Sequence, residues 1–127
     1  MPDLKSFVPE NDTLVVTLEA NGEVIKNDDE TPMTIEVYLP HSKEYRKVRH
    51  GQADVLIESK KERLKSAEAE EMGIDFLAKT TKSWNITYAG EQPKLTVAKV
   101  KEVYENITWI PELLLTKVDE SKVFTKA

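Results

Sequence analysis

The sequence predicts an α+β fold that is mostly helical: an N-terminal antiparallel β unit, then about four helices, with a small β-turn near 85–95. Three observations carry this. Before Pro40 the apolar residues alternate, and after it they fall three and four apart, the change from strand to helix period. Asn21-Gly22 is the strongest hairpin signal, because both residues tolerate positive φ. Thr96 stands as a helix N-cap before a stripe of Val97, Val100, Val103, Tyr104 and Ile107.

Residues 1–12, polar and carrying Pro2 and Pro9, are expected to be a mobile start. Residues 13–127 read as a single domain, a β unit over 13–40 and a helical part over 41–127. Thr13 to Thr17 is β-branched and predicts a strand near 13–18. A returning strand follows near 23–26, and Asn27 to Glu30 is an acidic loop with nothing apolar to bury. Met33, Ile35, Val37 and Leu39 make one face of a strand near 33–39, so three antiparallel strands are expected. Pro40 ends the third, since it lacks the N–H a ladder needs.

Ser42 is the expected cap of a long helix near 42–66, sparsely apolar and interrupted by Gly51, bent there or covered only in part. Glu58–Lys61 and Glu62–Lys65 are i,i+3 pairs on it. A second helix near 69–82 presents Met72, Phe76, Leu77 and Thr80, and Trp84 closes that run. Ile86 and Tyr88 alternate as a short strand before the Gly90 turn. The helix at 96–107 meets a corner at Trp109-Ile110-Pro111, and a last helix occupies 111–119, its pattern fading near Phe124. Trp84 and Trp109 read as buried anchors at the two corners of this block.

Composition narrows the function. The apolar fraction is 39% and the charged fraction 32%, so the core is modest. Cysteine is absent, which removes disulfides, thiolate nucleophiles and cysteine metal sites. No apolar run approaches the roughly 20 residues of a membrane span. The start lacks the layout of a signal peptide, so a cytoplasmic protein is expected, and the N-x-[ST] triplets at Asn11, Asn85 and Asn106 count as chance.

The net charge of −5 is segmented: −7 over residues 1–41, +4 over 42–65, −2 over 66–127. An acidic segment beside a basic one points to pairing within the chain or between copies. Lys43 to Arg49 could meet phosphate, but interleaved acids and a pI near 5.1 favour a solvated helix face. His41 and His50, nine residues apart, fall on opposite sides of a helix and make no ligand pair. Asp28-Asp29-Glu30 lacks the alternating ligands and glycine of a calcium loop. The glycines stand singly, and no serine has a histidine partner in view, so neither catalysis nor a cofactor is expected.

Three stretches carry a family resemblance. The first is Pro32-Met33-Thr34-Ile35-Glu36-Val37-Tyr38, followed by Ser42-Lys43-Glu44-Tyr45-Arg46. The second is Leu77-Ala78-Lys79-Thr80-Thr81-Lys82-Ser83-Trp84, leading to the Gly90 turn. The third is Leu95-Thr96-Val97, then Tyr104, then Trp109-Ile110-Pro111-Glu112-Leu113, closing on Ser121-Lys122-Val123-Phe124. In order and spacing the chain, over about 32–124, resembles the small tail assembly chaperones of long-tailed bacteriophages of the lambda-like and HK-like siphovirus group. Its hairpin over 13–25 departs from that pattern, and Leu114-Leu115 stands where family members often have a glutamine or an acid.

The resemblance implies a non-enzymatic protein of the host cytoplasm. It would bind the tape-measure protein, keep it soluble while major tail protein polymerises around it, and be absent from the finished virion. Members of that family are often also made as a longer frameshifted form, of which this chain would be the short one. Val97, Val100, Ile110, Leu113 and Leu114 are the expected frame of the partner-binding groove, with core packing the stronger reading for at least two of Leu113, Leu114 and Leu115. Two other readings stand beside it: a structural virion protein of the tail or head–tail connector, and a small nucleic-acid-binding regulator using Lys43 to Arg49. No membrane partner is expected.

Overall fold

A computed structural model of the chain describes residues 11–59 and 66–123. The expected mobile start lies outside these up to residue 10, as do the Glu58–Lys61 and Glu62–Lys65 pairs and the close at Phe124. The described elements are β1 (Thr13–Thr17), β2 (Glu19–Ala20), β3 (Glu23–Val24), β4 (Thr34–Tyr38), α1 (Lys43–Ser59), α2 (Ser66–Lys79), β5 (Thr81–Asn85), α3 (Val97–Asn106) and α4 (Trp109–Val123). The fold is α+β and mostly helical, with the antiparallel strands leading.

The sheet differs in its membership from the expected one. Its order is β1-β4-β5, all antiparallel, and the returning strand forms only a two-stranded ribbon, β2 with β3. The third strand, β5, comes from residues expected to continue a helix to 82 and close it at Trp84. The second helix stops instead at Lys79, where the Thr80 hydroxyl donates to the carbonyls of Phe76 and Leu77. That back-bonding offers the last turn an alternative to helix propagation. Tyr38 N–H then donates to Thr80 O at 2.8 Å, and the chain leaves as a strand. A register shift between Glu36 and Val37 accommodates the entry.

The local signals hold. Asn21 and Gly22 both take positive φ, 54° and 80°, between β2 and β3. Ala89 and Gly90 do the same, at 54° and 78°, so Tyr88 and Glu91 exchange both backbone hydrogen bonds. The short strand expected at Ile86 and Tyr88 does not form; Ile86 is buried in the core and Tyr88 makes a single bridge to Glu91. Ser42 Oγ accepts from Tyr45 N–H and Thr96 Oγ1 from Lys99 N–H, so both expected caps are in place.

One core lies between the sheet and the helices. Val16, Ile35 and Val37 from the sheet meet Leu77 and Ala78 of α2, Val100, Val103 and Tyr104 of α3, and Ile110, Leu114 and Val118 of α4. Registers Val16↔Ile35 and Leu14↔Val37 put the apolar positions of β1 and β4 on that face. The other face is polar. There Glu36 Oε2 accepts from Thr13 Oγ1 at 2.7 Å and Oε1 from Ser83 Oγ at 2.9 Å, so one carboxylate ties three strands. The Thr13 bond first, then the Ser83 bond, hold this carboxyl below its usual range.

The long helix is covered in part, as its sparse pattern predicts. Of its described side chains Tyr45, Val48 and Gln52 are half-buried, and the rest stand exposed. Tyr45 meets Phe76 edge to face at 4.9 Å between ring centroids, and Gln52 Nε2 donates to Met72 O. The helix runs through Gly51 without a break.

Candidate partner-binding surface

Helix α3 is positioned at both ends. Thr96 caps its start, and at its close Ile107 N–H bonds Val103 O and Ile110 N–H bonds Ile107 O, turning the chain into α4. Its inner face is fixed by Tyr104, fully buried, whose hydroxyl lies 2.7 Å from Thr81 Oγ1. Thr81 Oγ1 also donates to Leu77 O at 2.8 Å. A hydroxyl has one proton to give, so Tyr104 is the donor in the first bond. Burial pushes the Tyr104 phenol up to about 12, since the phenolate would lose its solvation there.

This packing corrects the groove expected from the sequence. Val100 and Leu114 have no exposed surface and Ile110 is 3% exposed; all three belong to the core and cannot line a binding groove. The apolar stripe that reads as an open face is spent on the sheet beneath it. Leu113 is half-buried against the core, and Val97 remains exposed. Of Leu113, Leu114 and Leu115, only Leu115 is exposed.

The two corner tryptophans also part company. Trp84 pairs across from Ile35 on the inner face, is half-buried, and its Nε1–H donates to Pro93 O at 2.9 Å. It is an anchor, though at a strand end rather than a helix end. Trp109 is 39% exposed at the first position of α4, contrary to the expected burial. Ile110, one residue on, fills the core position instead.

The acidic loop, which has no apolar residue to bury, nevertheless holds a buried polar anchor. Asn27 is 4% exposed: its amide reaches Thr31 and Asn85, and its Oδ1 accepts from Thr87 Oγ1 at 2.6 Å. Asp29 turns back to accept from Thr31 Oγ1 and N–H, which holds its carboxyl below the usual range. A short polar residue between acids gives no apolar signal, and its partners lie up to 60 residues away.

Shallow concavities lie beside the helices among the described residues. One, of about 490 Å³, lies along α3 beside Asp75 and is floored by Val97, Ala98, Lys101, Glu102, Glu105 and Asn106. Asp75 bridges Lys79 at 3.0 Å and Lys101 at 3.7 Å, so its charge is shared across α2 and α3. Another, of about 550 Å³, follows one side of α1 through Lys43, Arg46, Lys47, His50 and Asp54. His41 is held at the junction before α1, its Nε2 2.8 Å from Asn11 O.

Among the described residues the large apolar side chains left exposed are Val15 on β1, Val24 on β3, Val55 on α1, Val97 on α3, and Trp109 and Leu115 on α4. Trp109 and half-buried Leu113, four residues apart, share one side of α4. Val97 opens α3, a helix about 15 Å long by its rise, and Trp109 lies beyond the other end of it, at the start of α4. No group of acidic and histidine side chains fit to hold a metal ion occurs among the described residues, and no described helix is long and apolar enough to cross a membrane. Compared with protein-family models, curated protein sequences and solved structures, the chain matches none.

Proposed function

We propose that the chain is a non-enzymatic assembly chaperone that binds a long, largely apolar protein partner in the host cytoplasm. By its resemblance that partner is a phage tape-measure protein, handed over as major tail protein polymerises. The observation that carries the reading is the order and spacing of three stretches in one chain: 32–46, 77–90 and 95–124. Their apolar anchors Ile35, Val37, Leu77, Tyr104 and Ile110 pack into one core, which is consistent with the stretches forming a unit.

The partner surface is redrawn from the core positions to what stays outside. In this reading Trp109 and Leu113 on α4 form the contact, with Val97 at the far end of α3. Aromatic side chains at a surface are favoured anchors, since they bury much area for little lost rotamer freedom. Binding by apolar burial survives raised salt, whereas a phosphate contact by α1 weakens steeply.

The test is co-expression with the tape-measure protein encoded in the same genome. The expected result is that this protein becomes soluble only with the chain present, in a complex stable to raised salt. A Trp109→Asp change should abolish the rescue while circular dichroism stays unchanged. Equal insolubility with and without the chain, and no recovered complex, would sink the proposal.

A further inference from the structure

The two edges of the sheet are not alike. On β5 the edge carries exposed Lys82, and the register shift lies in its pairing with β4. Charge and irregularity are the usual means by which an edge strand is kept from pairing with another chain. Strand β1 has neither. Thr13-Leu14-Val15-Val16-Thr17 holds no charge, no proline and no register shift against β4.

Leu18 N–H donates to Met33 O, and Leu39 N–H donates to Asp12 O. Both pairs continue the β1–β4 register, so the hydrogen-bonded positions are Asp12, Leu14, Val16 and Leu18. The N–H and C=O groups of Thr13, Val15 and Thr17 therefore point away from β4, along an edge that no strand among the described residues pairs with. Val15 is 59% exposed at the middle of this row.

We propose that β1 is a self-association edge: it pairs antiparallel with β1 of a second copy, on a two-fold axis at Val15. The register argues for a copy of the same chain. Centred on Val15, all three outward-facing residues are used, Val15 against Val15 and each Thr13 against a Thr17 of the other copy. Leu14 falls opposite Val16 on the core side. The flanking acids meet neutral residues, Asp12 opposite Leu18 and Glu19 opposite Asn11, so no like charges are juxtaposed. A two-fold axis at Thr17 would instead bring Glu19 opposite Val15 and use fewer of the edge groups. Two three-stranded sheets become one continuous sheet, with the polar face carrying Glu36 open along its length. A strand-sized contact buries less than a permanent dimer needs, so the association is reversible and concentration-dependent. The proposal stands apart from the tape-measure reading, since it uses neither α3 nor α4.

The chain has no cysteine, so a single introduced one reports the register. In a hydrogen-bonded antiparallel pair the facing Cα atoms are about 5.5 Å apart, within disulfide reach. Val15→Cys should therefore give a covalent dimer under mild oxidation. Thr17→Cys alone should not, because its own copy is displaced by four residues, about 13 Å along the strand. Mixing Thr13→Cys with Thr17→Cys should restore the link. Sedimentation of the unmodified chain should show a mass rising with concentration, and Val15→Lys, at an exposed site, should hold it monomeric with an unchanged circular dichroism spectrum. A monomer at every concentration overturns the proposal. So does a dimer in which Val15→Cys stays unlinked, or in which Thr17→Cys links as fast as Val15→Cys.

Discussion

Replacing Tyr104 by phenylalanine should have an effect whose sign depends on pH. The phenol is fully buried and gives its only hydrogen bond to Thr81 Oγ1. Removing it loses one buried hydrogen bond of net worth about 1 kcal/mol, while Thr81 keeps its own bond to Leu77 O. At neutral pH Tyr104→Phe is therefore less stable by about that amount. The phenol in the folded chain titrates near 12 rather than near the ordinary 10.0, because burial disfavours the phenolate. A folded pKa raised above the unfolded one gives stability that is complete below the unfolded value and lost as pH climbs toward the folded value. At about pH 11 the unfolded phenol is mostly ionised and the folded one is not, so wild type has lost about 1.4 kcal/mol that the phenylalanine variant keeps. The two stabilities should meet or cross near that pH. Urea unfolding followed by far-ultraviolet circular dichroism, for both proteins from about pH 8 to pH 11, measures the difference and cancels the titration of every other group. A stability difference that stays constant across this range would refute the buried phenol.

Two further outcomes follow from the polar and aromatic anchors. Asn27→Ala should destabilise by about 2–3 kcal/mol in urea melts, as it strands Thr87 and unties the loop from the end of β5; a change under about 0.5 kcal/mol would show that the amide holds nothing. Trp109→Phe should leave stability within about 0.5 kcal/mol and remove the more acrylamide-quenchable emission, whereas Trp84→Phe should cost more, losing the bond to Pro93 O; equal quenching of the two indoles would contradict their different burial.

What could be read from the sequence divides by range. Capping by Ser42 and Thr96 and the turns at Asn21-Gly22 and Gly90 are decided within a few residues, and each is where the chain pattern puts it. Strand 34–38 was equally plain, because burial on one face alone sets its alternation. Strand 81–85 was not. Thr81-Lys82-Ser83-Trp84-Asn85 is mostly polar and follows a helix; it is a strand because Ile35 and Glu36, about 50 residues earlier, offer Trp84 and Ser83 partners. The same holds for the candidate site. An apolar stripe on α3 and α4 reports that those helices bury one face, but not whether this chain's own sheet or another molecule covers it. Here the sheet takes Val100, Ile110 and Leu114, and leaves Trp109 and Val97 outside.

The central place of β4 has a consequence for how the molecule assembles. Its first neighbour, β1, is closed by a loop of modest length, but its second arrives only after two helices have been traversed. Loop-closure entropy rises with that separation, and contacts far apart in sequence slow the search for the native topology. Until Thr81–Asn85 dock, Ile35 and Val37 have an unpaired flank and no lid from α3 and α4. A fragment ending before Thr80 would keep its hairpin and first two helices yet leave this surface bare. Folding is thus gated by the C-terminal third of the chain, and a truncation there should yield aggregation rather than a smaller stable domain.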